Sequence, residues 1–347
     1  MRFKGQTEYD HKGPSPRTGI LLNNLGTPDE PTPPALRRYL REFLSDPRVV
    51  EIPRLVWLII LYLFILTFRP KSSAKLYQQV WTDAGSPLMD ITRRQADALQ
   101  EKLDQAYGEH SVPVVVGMRY GNPSIASALQ ALTDQNVRNL IVLPLYPQYC
   151  AATVGSTFDA VATQLTRFRW VPEFKFISGY HKHAGYITAI ADSITRHIEA
   201  HGMPERLLFS YHGTPERYLH QGDPYYCFCS QTTRLVREKL GLDEDMILTT
   251  FQSRFGKATW LQPYTDETLK QLASEGIKEV AVICPGFSAD CLETIEEIDA
   301  ENRGYFIDGG GEQYHYIPCL NDQDDHIEMM FDLVQQQLPA ELKAQGK

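Results

Sequence analysis

The chain has 347 residues, 43% of them apolar and 22% charged, with a net charge of −9. That length exceeds one compact core and suits two, and an acidic chain without clustered Lys, Arg and aromatics excludes a nucleic-acid surface. Six cysteines (Cys150, Cys227, Cys229, Cys284, Cys291 and Cys319) contain no CxxC pair and read as free thiols of a reducing compartment.

Residues 1–17 are polar, carry charge of both signs and lack the apolar stretch of a signal peptide, so they read as a flexible leader. From there, short apolar runs alternate with stretches of helical period. The runs are 19–25, 112–121, 139–147, 174–180, 206–213, 246–253, 280–287 and 313–320. Several are apolar almost throughout, as parallel strands covered on both faces are. Between them, 124–136, 183–202, 228–241 and 264–276 carry helical spacing. This alternation predicts α/β architecture: two similar open sheets of four parallel strands flanked by helices, joined near 160–172. The expected domains are 18–165 and 166–325, followed by a C-terminal helix and tail over 326–347. No sequence repeat is visible between the halves.

One segment stands apart. Residues 54–71 (RLVWLIILYLFILTFRPK) hold an uncharged run, 55–68, between Arg54 and Arg69. A membrane span needs about 20 apolar residues, so the run predicts either a buried helix or an exposed apolar lip. Trp57, Tyr62 and the basic flanks suit an interfacial position.

Ligands of open α/β sheets bind beyond the carboxyl ends of the strands. That singles out Asn24, Tyr120, Tyr146, His212, Gln252 and Phe287. In FSYHGTPERY (209–218), His212 ends a strand and Gly213 and Pro215 break the chain. A neutral imidazole there can ligate a metal or accept a proton; a histidine capping a helix is the plain alternative. In CPGFSADCLETIEEIDAENR (284–303), Ser288 or Asp290 is placed to cap a helix that carries Glu293, Glu297 and Glu301 on one face with Asp290. Like charges at that spacing repel. The row is either a solvated acidic face or a path for a hard divalent cation and protons. Tyr120, Tyr146, Tyr149 and Trp260 suit the walls of a flat apolar ligand, or simply the core. His181 and His183 in YHKHAGY read as surface. No GxGxxG follows the first strand and no GxxxxGK[ST] occurs, which weakens a nicotinamide dehydrogenase and excludes a P-loop NTPase.

Together these segments resemble the ferrochelatase family from about residue 18 to about residue 330. The resemblance rests on LLNNLGTPDEP, LYQQVWTDAGSPL, GMRYGNPS, LPLYPQY, FSYHGTPERY, FQSRFGKATWLQP and CPGFSADCLETIEEI, most specifically on the fifth and last. It implies two Rossmann-like domains of chelatase type with a porphyrin cleft between them. It implies insertion of ferrous iron into protoporphyrin IX, with Fe2+ a substrate and no cofactor required. By resemblance His212 is the cleft histidine and Glu293 its partner opposite, both catalytic and both metal-binding, with Glu297 and Asp290 behind them as further metal groups. Leu25, Tyr77, Tyr120 and Trp260 match pocket residues, Arg69 and Ser86 groups near the propionates, and 54–71 the apolar lip. The animal type carries a two-iron cluster on C-terminal cysteines; here the last cysteine is Cys319, so no iron–sulfur cluster is expected. The expected setting is cytoplasmic, with peripheral contact to the cytoplasmic membrane or to protoporphyrinogen oxidase. A coproporphyrin ferrochelatase and a non-catalytic tetrapyrrole or metal carrier are the alternatives.

Overall fold

A computed structural model describes residues 3–5, 13 and 15–344. The leader falls largely outside the described residues. Its described part is tied down: the Lys4 amide donates to the Arg167 carbonyl at 2.7 Å, and the Arg169 amide donates back at 2.7 Å.

Every predicted run overlaps a strand. The first sheet holds β1 (Arg17–Thr27), β2 (Val114–Gly121), β3 (Val137–Pro144) and β4 (Glu173–Phe176). The second holds β5 (Arg206–His212), β6 (Ile247–Gln252), β7 (Glu279–Ile283) and β8 (Gln313–Ile317). All pairings between them are parallel. Both sheets have the same order, β2-β1-β3-β4 and β6-β5-β7-β8, a likeness that sequence identity between the halves does not carry. In each, the chain reverses direction across the sheet between the first strand and the third, and that switch point is where a crevice opens.

The uniform apolarity of the strands has the expected cause. In β1, Ile20 and Leu22 face one core and Leu21 another, and all three are fully buried. The first of these cores runs through both halves: Ile20, Leu22 and Leu143 share it with Phe209, Tyr211 and Met330.

Helices cover the faces: α1 (Pro33–Leu44), α2 (Arg54–Val80), α3 (Pro87–Tyr107), α4 (Ile125–Asp134), α5 (Ser156–Leu165), α6 (Ala184–His201), α7 (Tyr225–Leu240) and α8 (Thr265–Ser274). A π-helix, Glu293–Asn302, leads into α9 (Arg303–Asp308), and α10 (Asp324–Gln337) follows β8.

The expected division at 165/166 places β4 in the second half, but β4 pairs with β3 in the first sheet. The expected C-terminal helix is α10, which begins at Asp324 and buries Met329, Met330 and Val334 in the shared core. Lys175 Nζ also donates to the Gln337 carbonyl at 2.7 Å.

The apolar segment is one helix of 27 residues, far longer than its uncharged run and long enough by length and composition to span a bilayer. Its packing argues against a span. Trp57, Leu61 and Leu66 bury against Tyr39, Leu40 and Leu44 of α1, and Trp57 Nε1 donates to the Leu44 carbonyl at 2.6 Å. Ala74 and Tyr77 pack with Leu36. Leu55, Ile59, Leu63, Phe64 and Phe68 remain exposed. Of the two expectations, the exposed lip is the one observed. A π-turn, Leu61–Ile65, interrupts the lip, and Arg37 donates to the Leu66 carbonyl where it ends.

Candidate active site

A small recess of about 50 Å3 lies where the carboxyl ends of β1 and β3 meet the segment after β7. Its walls include Asn24, Leu25, Tyr39, Tyr77, Ser86, Tyr146, Phe287 and Glu293. Glycine at 26 is required to form the floor: its φ is +107° and a Cβ would stand 1.8 Å from the Tyr120 carbonyl oxygen. Of the expected residues, the recess collects Leu25, Tyr77, Ser86 and Glu293. Burial raises the phenols of Tyr39, Tyr77 and Tyr146 well above their ordinary value, so they stand as neutral donors and acceptors. The Tyr146 hydroxyl is buried without a partner, which leaves it free for a ligand. Tyr39 escaped the sequence reading because it belongs to a helix, not to a strand end.

His212 is not among these walls. It ends β5 beside Gln252, its register partner in β6. Its Nδ1 lies 2.8 Å from the Gly213 carbonyl. A carbonyl only accepts, so Nδ1 carries the proton and Nε2 keeps its lone pair. Gly213 has no room for a side chain: a Cβ would meet the Gln252 carbonyl at 2.8 Å and Trp260 at 3.3 Å.

Gln252, the strand neighbour of His212, holds the acidic row. Its Nε2 donates to the Glu293 carbonyl at 3.0 Å and to Glu297 Oε2 at 3.3 Å, while its Oε1 accepts from Ser210 at 2.9 Å. Ser253 also donates to Glu297. Burial raises the Glu297 carboxyl above its usual range; Ser253, the His212 charge and Gln252 act against that, and Glu293 adds to it. Glu296 is raised in the same direction, by burial and then by Glu301, Glu297 and Glu293. The carboxylates therefore sense one another along the row.

The expected ordinary helix here is a π-helix without a side-chain cap. Its wider turn, closed by i→i+5 bonds, is a form frequent at functional sites. Ser288 turns away and donates to the Leu145 carbonyl at 2.8 Å. Asp290 is an anchor instead. Its carboxylate accepts from Tyr316 at 2.5 Å, Asn321 at 2.7 Å and Thr294 at 3.0 Å. Those bonds hold the carboxylate in place and use most of its accepting capacity. Glu301 lies further out, accepting from Tyr305 at 2.6 Å.

Tyr120 is also corrected, from pocket wall to core. It is fully buried, and its hydroxyl donates to Asp46 Oδ2 at 2.9 Å and lies 3.1 Å from Ser156 Oγ. Arg119 completes that network on Asp46. Trp260 and Arg69, expected at the pocket, are not among the walls of the recess. Trp260 Nε1 donates to the Phe255 carbonyl at 2.8 Å, and the Arg69 guanidinium lies 5.1 Å from the Phe255 ring centre. Partial enclosure lowers the guanidinium from its ordinary value and the Glu293 charge opposes this, so Arg69 faces the acidic row.

Cys227 is exposed and Cys229 buried; two apart on α7, they point to opposite sides and cannot converge on one ion. His181 is not at the surface as expected but buried, with its ring stacked 3.8 Å from Phe228.

A family model described as ferrochelatase matches residues 17–338. A ferrochelatase of Hydrogenovibrio crunogenus is 56% identical over 341 residues, covering 97% of this chain and 90% of the relative. A ferrochelatase 2 of Shewanella oneidensis is 59% identical, covering 92% and 97%, and a ferrochelatase of Idiomarina loihiensis is 53% identical, covering 97% and 92%. Among solved structures, SirB from Bacillus subtilis with Fe3+ aligns at a TM-score of 0.51 and 12% identity over 95% of this chain and 98% of that one. The sirohydrochlorin chelatase SirB from Bacillus subtilis subspecies spizizenii in complex with cobalt aligns at 0.52 and 11%, over 92% and 95%. These two likenesses establish the fold.

Proposed function

The chain belongs to the ferrochelatase family and is a lyase of haem biosynthesis that inserts ferrous iron into a porphyrin; from that premise we propose that the porphyrin is protoporphyrin IX and that His212, Glu293 and Glu297 carry the reaction. The observation behind the residue assignment is the neighbourhood of Gln252: His212, with Nε2 free, is its register partner, its amide donates to Glu297, and the His212 charge acts on that carboxyl.

The chemistry is an exchange of Fe2+ for two pyrrole protons. One face of the macrocycle needs a base and the other a loosely held metal. His212 Nε2 is the base, taking the two protons in turn and passing each to water. Glu293 and Glu297 are the metal path, because hard oxygen ligands release iron more readily than imidazole does. The raised proton affinity of Glu297 lets it hold a proton while the path is empty and give it up as iron arrives. A porphyrin bent by a few kcal/mol of strain, offset by contacts to its periphery, turns its lone pairs toward the ion. Tyr39, Tyr77, Tyr146 and Leu25 would supply those contacts, with Ser86 at the polar edge and Arg69, which feels the Glu293 charge, as the cation.

The exposed face of α2 supports protoporphyrin, which has two propionates where coproporphyrin has four, and supports a peripheral lipid contact. No iron–sulfur cluster belongs to this reading, and purified enzyme should be colourless. Anaerobic absorbance assays with ferrous iron test it. His212→Ala should abolish insertion while leaving porphyrin binding near normal; substantial turnover would remove His212 from the mechanism. A higher rate on coproporphyrin than on protoporphyrin would reverse the substrate assignment.

A further inference from the structure

The second half carries another cluster of donors on its surface, formed by residues that do not line the recess. His197 and His201 lie one turn apart at the end of α6, and His315 lies on β8, the edge strand that α6 touches. Their ring centres are 4.4, 5.1 and 5.0 Å apart. Glu279, at the start of β7, places Oε1 3.3 Å from His315 Nε2. Imidazoles bound to one tetrahedral ion through metal–nitrogen bonds of about 2.0–2.1 Å have ring centres roughly 5 Å apart.

The nitrogens themselves point to a missing partner. His201 Nδ1 lies 3.1 Å from the His197 carbonyl. It therefore carries the proton, and Nε2 keeps a lone pair. The same backbone bond orients the ring, as outer-shell partners of metal-bound histidines do. His197 Nε2 is buried without a hydrogen bond, and His315 Nε2 has only the Glu279 carboxylate, 3.3 Å away and poorly aligned for one. Buried polar atoms rarely lack a hydrogen bond, and here His197 Nε2 lacks one beside two further imidazoles. A histidine merely capping the end of α6 would account for His201 alone.

We propose that His197, His201 and His315, with Glu279, form a surface site for one divalent cation of the zinc, copper or nickel class. Three imidazoles and one carboxylate suit those ions, whereas magnesium and calcium prefer all-oxygen sites. Among the described residues no three donors already converge on one point. The rings of His197 and His201 stack, and rotation about χ2, a broad torsion, closes the site. A bound ion ties α6 to the edge strand and to β7. Nothing in this site depends on the porphyrin chemistry of the cleft.

Full-length protein titrated with Zn2+, and with Co2+ as the coloured probe, tests the proposal by equilibrium dialysis, visible absorption and thermal unfolding. The wild type and His212→Ala should each bind an ion with the intense spectrum of four-coordinate Co2+, and should unfold at higher temperature with Zn2+. The double variant His197→Ala/His315→Ala should lose that ion. His201→Gln, a change at an exposed helix end that leaves the fold intact, should lose the four-coordinate spectrum. Glu279→Gln, which removes the one carboxylate donor, should weaken binding and alter the Co2+ spectrum. Unaltered binding in the double variant and in His201→Gln would overturn the site. So would loss of the ion in His212→Ala, which would put it in the cleft.

Discussion

Ser253 has a φ of +65° although it is not glycine. Such a conformation costs free energy and persists where its surroundings over-determine it. Its hydroxyl bond to Glu297 is the local reason to tolerate it, and that bond opposes the upward push of burial on the carboxyl. Ser253→Gly should relieve the backbone and remove the bond. The acid limb of the rate–pH profile should then move to higher pH without loss of thermal stability; an unmoved limb would detach Ser253 from catalysis. Asp46 behaves oppositely. Burial raises it, but hydrogen bonds from Ser156, the Arg48 amide and Tyr120, with the charge of Arg119, outweigh burial and leave it below its ordinary value. A depressed carboxyl stabilises the fold above its unfolded pKa, about 3.9, and that contribution disappears as pH falls through the lower folded value. Asp46→Asn should therefore lower stability at neutral pH and flatten its acid dependence below about pH 4, as urea melts across a pH series would report. These two sites mark how far residue-level reading reaches. His212 and Gln252 are legible because strand ends are. Tyr120 and Asp290 occupy equally suggestive positions, yet which way a side chain turns depends on distant partners, Asp46 and Ser156 for one, Tyr316 and Asn321 for the other.

At the scale of elements, the eight strands follow from apolar runs, while helices with mixed patterns, α1 and α3 among them, went unread. The π-helix was unreadable for a different reason: Glu293, Glu297 and Glu301 share a face in either helical form, so spacing cannot distinguish them. α2 carries the clearest consequence of its sequence. The inner side of its first half packs on α1, and its second half delivers Tyr77 to the recess. A span across a bilayer would pull that residue away. The outer face is apolar and bare, the arrangement of a helix lying in a lipid interface. Replacing Leu63, Phe64 and Phe68 by Gln should abolish co-sedimentation with anionic vesicles while leaving thermal unfolding and iron insertion into a water-soluble porphyrin unchanged. Undiminished vesicle binding would remove the lip from membrane contact.

In the whole molecule, each half has a core of its own, but a third and larger one is shared between them. Strands of both sheets and α10 fill this shared interior, so unfolding should be a single cooperative transition by fluorescence and by circular dichroism alike. Met330, fully buried in that interior, should cost about 2–5 kcal/mol on truncation to Ala, and the loss should appear in both signals together. The shared interior has a further consequence. Two domains joined by a slim linker could swing like jaws to admit a flat ligand and let it go; halves welded through their centre cannot. Traffic at the mouth must then be handled by the thin parts around it, chiefly the bare first half of α2 with its π-turn. Turnover of this enzyme should accordingly respond to what that helix rests on, water or lipid, more than to anything that loosens the body of the protein.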